Sequence, residues 1–157
     1  MLSSLRTMVS AVMGSLFFIG LALWFVFTDH AEMPELWWLG IVLLVGAGAA
    51  GLIQSVGFRT PAIAPGASAE EAARQARSAF QSGTMSRMAI AETPAIVSIA
   101  VAFVAQDGAF VLFLLGAAIS LGLLAAYVVP SETTIARTQA SLEREGGRAD
   151  LSAALHG

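Results

Sequence analysis

The sequence has no cysteine and no lysine, only two histidines, and charged residues make up just 12% of its 157 residues. Without cysteine there is no disulfide, no thiolate cluster and no thiol nucleophile. The histidines, His30 and His156, both fall outside the long apolar runs, so no pair of intramembrane haem ligands is available. A redox centre or resident cofactor of the chain's own is not expected; bound lipid is. No Ser, His and acid set and no metal-ligand spacing can be assembled, which argues against an enzyme. No nucleic-acid partner is expected either.

The scarcity of charge leaves a chain that is 57% hydrophobic, outside the composition of an ordinary soluble domain. It reads as a membrane protein. Its eight basic residues are all arginine in an alanine-rich chain, a bias of GC-rich bacterial genomes such as those of actinobacteria. The net charge of −3 says little, because the placement of charges matters more than their sum in such a protein.

Long apolar runs are what the chain has in abundance. Four of them, at residues 8–27, 36–56, 85–105 and 109–129, approach the roughly 20 residues that cross a hydrocarbon core. The expected fold is all-α: a polytopic membrane protein with four transmembrane helices over residues 1–130, a loop at 57–84, and a tail at 131–157. The first run is long and Phe/Trp-rich, and no small-residue cleavage site follows before "TDHAEMPE", so it is expected to stay as an anchor. Arginines lie at 6, 59, 74, 77, 87, 137, 144 and 148, while the alternate loops hold Asp29, Glu32, Glu35 and Asp107. This bias places both termini and the 57–84 loop on the cytoplasmic side of a bacterial inner membrane. Trp24, Trp37 and Trp38 then suit the outer aromatic belt and Tyr127 the inner one.

The turn "QDG" at 106–108 is short enough to make the third and fourth spans a tight antiparallel hairpin. Small residues mark the seams where helices approach closely: Gly46, Gly48, Ala50 and Gly51 in the second span, Ala91, Ala95, Ser98 and Ala102 in the third, Gly116 and Ser120 in the fourth. "GAGAAG" is a packing stretch on this reading, since a phosphate-binding loop needs a strand, turn and helix in water. The first span is rich in phenylalanine, Phe17, Phe18, Phe25 and Phe27, which face lipid or a neighbouring subunit.

Two short amphipathic helices are expected outside the membrane. "SAEEAARQARSAFQSG" starts at a capping box of Ser68 and Glu71 and ends at Gly83, with Phe80 and alanines on one face and Arg74 and Arg77 suited to an anionic leaflet. "SETTIARTQASLEREGG" starts at Ser131 and stops at the glycine pair 146–147. Beyond it Leu151 and Leu155 lie one helical turn apart, an apolar edge that docks the tail on a larger assembly or on the chain's own loop.

The stretch "SRMAIAETPAIV" holds the main functional pointer, Glu92 two positions before Pro94. Only 13 residues separate Thr93 from the turn, too few to span, so the helix extends back to Met85 and Pro94 is internal. A kink follows, with the carbonyl of Ile90 deprived of its usual donor. Glu92 sits about 10 Å in from Met85 at 1.5 Å per residue. One reading ties it to Arg87, to Gln54 or to a partner subunit; the other makes it a carboxylate that carries a proton.

The second and third spans resemble the hairpin of the rotary ATP synthase proteolipid, subunit c: a glycine-rich helix, a segment containing "ARQ", then "TMSRMAIAETPAIVSIAVAFV" with a single glutamate. That resemblance implies proton translocation, with Glu92 as the carrier. The whole chain is similar to small four-span bacterial membrane proteins of unassigned role in which an arginine precedes an "A-[IL]-A-E-x-P-A" stretch, here Arg87 and "AIAETPA". Proteins of this size and span count accompany the actinobacterial cytochrome bcc:aa3 respiratory supercomplex. The leading expectation is therefore a non-catalytic accessory or assembly subunit of such a complex, partnered by other integral membrane subunits and lipids.

Overall fold

The computed structural model describes residues 2–27, 32–105 and 107–156. Asp29, His30, Gln106 and the side chain of His156 therefore lie outside the described residues. The chain is all-helical, with no strand among the described residues, and four helices are long and apolar enough to span a membrane. It is a membrane protein. In chain order the helices are α1 (Leu2–Val26), α2 (Leu36–Ser55), α3 (Ala69–Ala105), α4 (Ala109–Leu123), α5 (Glu132–Leu142) and α6 (Leu151–His156), with a π turn at Leu124–Val128 closing α4.

The α3–α4 hairpin is the centre of the bundle. Gly108 makes it possible: its φ of 64° lies in the left-handed region, and a Cβ there would strike Pro34, whose Cα lies 2.8 Å away. α2 lies along α3 and α4 on one side and α1 on the other. The apolar core accordingly runs from Val9 and Leu16 of α1 through Met88, Ala91 and Ala95 to Ala49 and Ile53 of α2. Nearer the turn, Leu23 meets Phe110, Phe113 and Ala117, while Val42 meets Ala102 and Leu112.

One expectation fails in an informative way. Residues 68–83 and 85–105 do not form separate helices; α3 runs unbroken for 37 residues, about 55 Å at 1.5 Å per residue, through Gly83. Ser68 does cap it, its Oγ accepting the Glu71 amide at 3.3 Å. About 20 residues suffice for the membrane, so the first half of α3 projects beyond it. Its alanine face does not lie on a leaflet. Ala72, Ala76 and Phe80 are buried against Ile63, Leu142, Leu151, Leu155 and Leu5 in a second core.

That second core is built by the tail. Ser131 caps α5 as expected, in a reciprocal pair with Thr134, and Asp150 caps α6 by accepting the Ala153 amide at 2.9 Å. Ile63 N–H donates to Leu142 O at 2.9 Å, and Arg77 Nη1 to Ala154 O at 3.4 Å, fixing the loop and α3 to the tail. Arg74 pairs with Glu70 at 3.1 Å. The two arginines assigned to a lipid leaflet are thus engaged within the chain.

Candidate functional site

α3 crosses α4 at close range. A Cβ on Gly116 would collide with Ser98 Oγ and lie 2.6 Å from Pro94 O. Four residues on, Ser120 Oγ accepts the Ala95 N–H at 2.9 Å. Ser98 turns its own hydroxyl back to Ala95 O at 2.8 Å. Pro94 withholds the donor that Ile90 O would otherwise receive, and one residue further on the neighbouring helix engages the backbone, Ser120 taking the Ala95 N–H. Ala91, Ala95, Ser98 and Ala102 are all buried, as the spacing of small residues indicates.

The second span behaves less uniformly. Gly46 is a true seam position, where a Cβ would meet Ile119 Cγ2 at 2.8 Å, and Ala50 packs on the core. Gly48 and Gly51 are exposed and nothing lies within 4 Å of a Cβ at either, so they are not packing residues. Ala49, between them, is buried instead. The helical period explains the exchange: 42, 46, 49 and 53 share the face turned to the bundle.

Arg87 is fully buried and, among the described residues, has no carboxylate partner. Its Nη1 donates to Gly57 O at 3.0 Å and its Nη2 to Thr84 Oγ1 at 3.1 Å, while Thr84 Oγ1 donates to Phe80 O at 2.7 Å. The guanidinium carbon lies 4.4 Å from the centroid of Phe58. Gly57 closes the turn after α2, donating to Ile53 O, so the cation occupies the negative end of the α2 dipole. Two glycines make the slot. A Cβ at Gly57 would lie 2.9 Å from Arg87 Cγ, and one at Gly83 would lie 3.3 Å from Nη1.

Glu92 meets neither intrachain partner proposed for it. It is half-buried and, among the described residues, in no ion pair or side-chain hydrogen bond. Gln54 donates instead to Tyr127 Oη at 3.2 Å. Arg87 precedes Glu92 by five residues, which on a helix of 3.6 residues per turn separates them by about 140°. Arg87 therefore turns toward α2. Glu92 shares its flank of α3 with Met85 and Ile99, one heptad away on either side, and Ile99 packs on the cluster where α1 meets α4.

Leu151 and Leu155 do dock, but on their own chain: both are buried against Phe80, Ala76 and Leu5. Tail docking thus gives no independent support for a partner. Of the phenylalanines assigned to the outer face of α1, Phe17, Phe18 and Phe25 are exposed, whereas Phe27 packs on Phe103 with ring centroids 5.1 Å apart. Sequence reasoning passed over Gly57, Phe58 and Thr84; an arginine inside a spanning run was the signal that such partners must exist. Among the described residues no group of three His, Asp or Glu side chains gathers as a metal site.

Fold and site define an α-helical membrane protein of four spans with a buried arginine clamp and a half-buried carboxylate. Comparison with protein-family models, with curated proteins and with solved structures gives no match.

Proposed function

We propose that this chain is a non-catalytic accessory or stabilising subunit of a larger complex in a bacterial inner membrane. The complex we have in view is respiratory, the actinobacterial cytochrome bcc:aa3 supercomplex. The observation that carries the reading is the uneven burial of the spans. Only 17% of the apolar stretch of α1 is buried, against 50% in the fourth span, and its outward side presents Phe17, Phe18 and Phe25. α1 is nonetheless held in place at its first turns, where Leu5 enters the second core. An anchored helix with an open aromatic face suits a neighbouring subunit. Every arginine lies toward the end of the bundle that carries both termini, which supports a cytoplasmic location for that end.

The test is purification through a tag in mild detergent, followed by mass spectrometry and a visible absorption spectrum of the eluate. Stoichiometric co-purification with haem-containing reductase and oxidase subunits is the expected result. A colourless preparation of this chain alone would overturn the accessory role.

One observation favours a second reading, a small proton-linked translocator resembling the subunit c proteolipid. Glu92 lies inside a spanning helix without an ion-pair partner among the described residues. A translocator requires reaction of Glu92 with a hydrophobic carbodiimide and loss of transport in Glu92→Gln. Unaltered proton flux in that variant removes this reading.

A further inference from the structure

A cavity of about 430 Å³ opens between the C-terminal end of α2 and α5, lined by Gln54, Ser55, Phe58, Arg59, Arg137 and Ser141. No carboxylate lines it. Among the described residues neither Arg59 nor Arg137 forms an ion pair or a side-chain hydrogen bond, whereas Arg74 and Arg144 both have glutamate partners. Two guanidinium groups thus share one opening with no anion supplied by the chain.

The walls are held. Ser141 Oγ accepts the Thr60 amide at 3.1 Å, and Arg144 Nη1 donates to Thr60 O at 2.6 Å, which ties the segment after α2 to α5. Among the described residues Ser141 Oγ only accepts, so its hydroxyl hydrogen remains available to a ligand. Arg137 stacks over the Phe58 ring at 5.4 Å, the same ring that Arg87 approaches at 4.4 Å. Arg87 in turn covers Gly57 O, so the negative end of the α2 dipole is already compensated beside the cavity. Gln54 spends one donor on Tyr127 and keeps another.

Position along the chain decides the source of the anion. α2 is a membrane-spanning helix that ends at Ser55, and Tyr127 beside Gln54 is a side chain typical of the headgroup level. From the cavity an exposed row of α2, Ser55, Leu52, Gly48 and Leu44, leads along the apolar surface at helical spacing. Gly48 has open space around its Cβ position, a notch in that row. An acyl chain fits such a row and a free anion has no use for it.

We propose that this cavity binds the phosphate of an anionic phospholipid headgroup. Arg59 and Arg137 supply planar, permanently charged donors matched to phosphate oxygens, Ser141 and Gln54 add neutral donors, and the acyl chain lies on the Leu44, Gly48 and Leu52 row.

The test uses the full chain, purified in dodecyl maltoside and delipidated, then offered phosphatidylglycerol, phosphatidylcholine or inorganic phosphate. Lipid retention is read by native mass spectrometry and stability by thermal melting. With about 1 kcal/mol per basic residue near an anionic headgroup, phosphatidylglycerol is retained about 10- to 30-fold more strongly than phosphatidylcholine. The R59Q/R137Q double variant, altered only at exposed positions, brings the two lipids to parity, while Arg74→Gln keeps the preference. A wild-type chain that retains both lipids equally overturns the proposal, as does a preference that survives in a correctly folded R59Q/R137Q variant. Stabilisation by inorganic phosphate with none by phosphatidylglycerol assigns the site to a free phosphate and overturns the lipid.

Discussion

The amide of Ala95 donates to the hydroxyl of Ser120 across the α3–α4 interface at 2.9 Å, one residue beyond Pro94. The bond joins the place where α3 lacks a backbone donor to the helix that crosses it most closely. Ser120 is fully buried, so Ser120→Ala withdraws the hydrogen-bond acceptor from Ala95 N–H with no water to replace it. The expected loss is about 1 kcal/mol, the usual scale for interhelical hydrogen bonds in membranes. Thermal melting in detergent measures it. Ser15→Ala, at an exposed hydroxyl that bonds only within its own helix, should leave the midpoint unchanged.

Gly116 and Gly48 separate packing from lipid exposure in a single comparison. A methyl group at Gly116 collides with Ser98 and with Pro94 O, so Gly116→Ala should destabilise by about 1–3 kcal/mol. Gly48→Ala meets nothing within 4 Å and removes a flexible residue from a helix interior, so it should be neutral or slightly stabilising. Equal melting midpoints for the two variants would contradict the crossing described.

Much of this fold was legible from run length, because a span must satisfy its backbone internally and so announces itself as a long apolar helix. The buried stripe Ala91, Ala95, Ser98 and Ala102 was equally legible from spacing. Gly83 was misleading. Glycine ends a helix when the chain turns there into the left-handed region, but Gly83 is helical and serves to admit Arg87 Nη1. The pairing of Glu92 with Arg87 failed because closeness in sequence says nothing about helix face and five residues is an unfavourable separation, and the pairing with Gln54 failed because Gln54 bonds Tyr127 instead. Gly48 and Gly51 show the converse: a small residue permits close packing without requiring it.

Arg87 should be a stability residue whose partners are neutral. Removing it strands Gly57 O and takes from Thr84 Oγ1 the bond it accepts, leaving only its bond to Phe80 O, so Arg87→Gln should cost about 1.5–3 kcal/mol, the scale of hydrogen bonds to a charged group. Arg87→Lys should recover only part, because an ammonium cannot span both acceptors and stack on Phe58 as a planar guanidinium does. Gly57→Ala should imitate the loss, since the added Cβ lies 2.9 Å from Arg87 Cγ. Full stability in Gly57→Ala would show that the slot is not as narrow as described.

Leu151 and Leu155 bear on the extramembranous core. Both are buried there, so the paired substitution L151S/L155S exposes Phe80 and Ala76 and should free residues 143–157 for protease while the spans stay intact. Limited proteolysis of the purified chain, with no other subunit present, should show faster cleavage of the tail at an unchanged melting transition of the bundle. Unaltered cleavage would mean that the tail is held elsewhere.

Glu92 decides between the two functional readings because its environment permits either. It shares its flank of α3 with Ile99, which packs where α1 meets α4, and is half-buried with no ion-pair partner among the described residues. If it is a contact for a neighbouring subunit, Glu92→Gln keeps shape and hydrogen-bonding capacity, proton flux is untouched, and the cost appears as weaker co-purification. If it carries a proton, association is untouched and flux is lost. Hydrophobic carbodiimide adds a kinetic arm: it reacts with the protonated carboxyl, so labelling that declines as pH rises reports a lipid-accessible titrating group. In the isolated chain we expect labelling at Glu92. In the intact complex the accessory reading requires it to disappear, because the partner that completes α1 would cover the same flank. Persistent labelling in the complex, together with lost flux in Glu92→Gln, would transfer the assignment to the translocator.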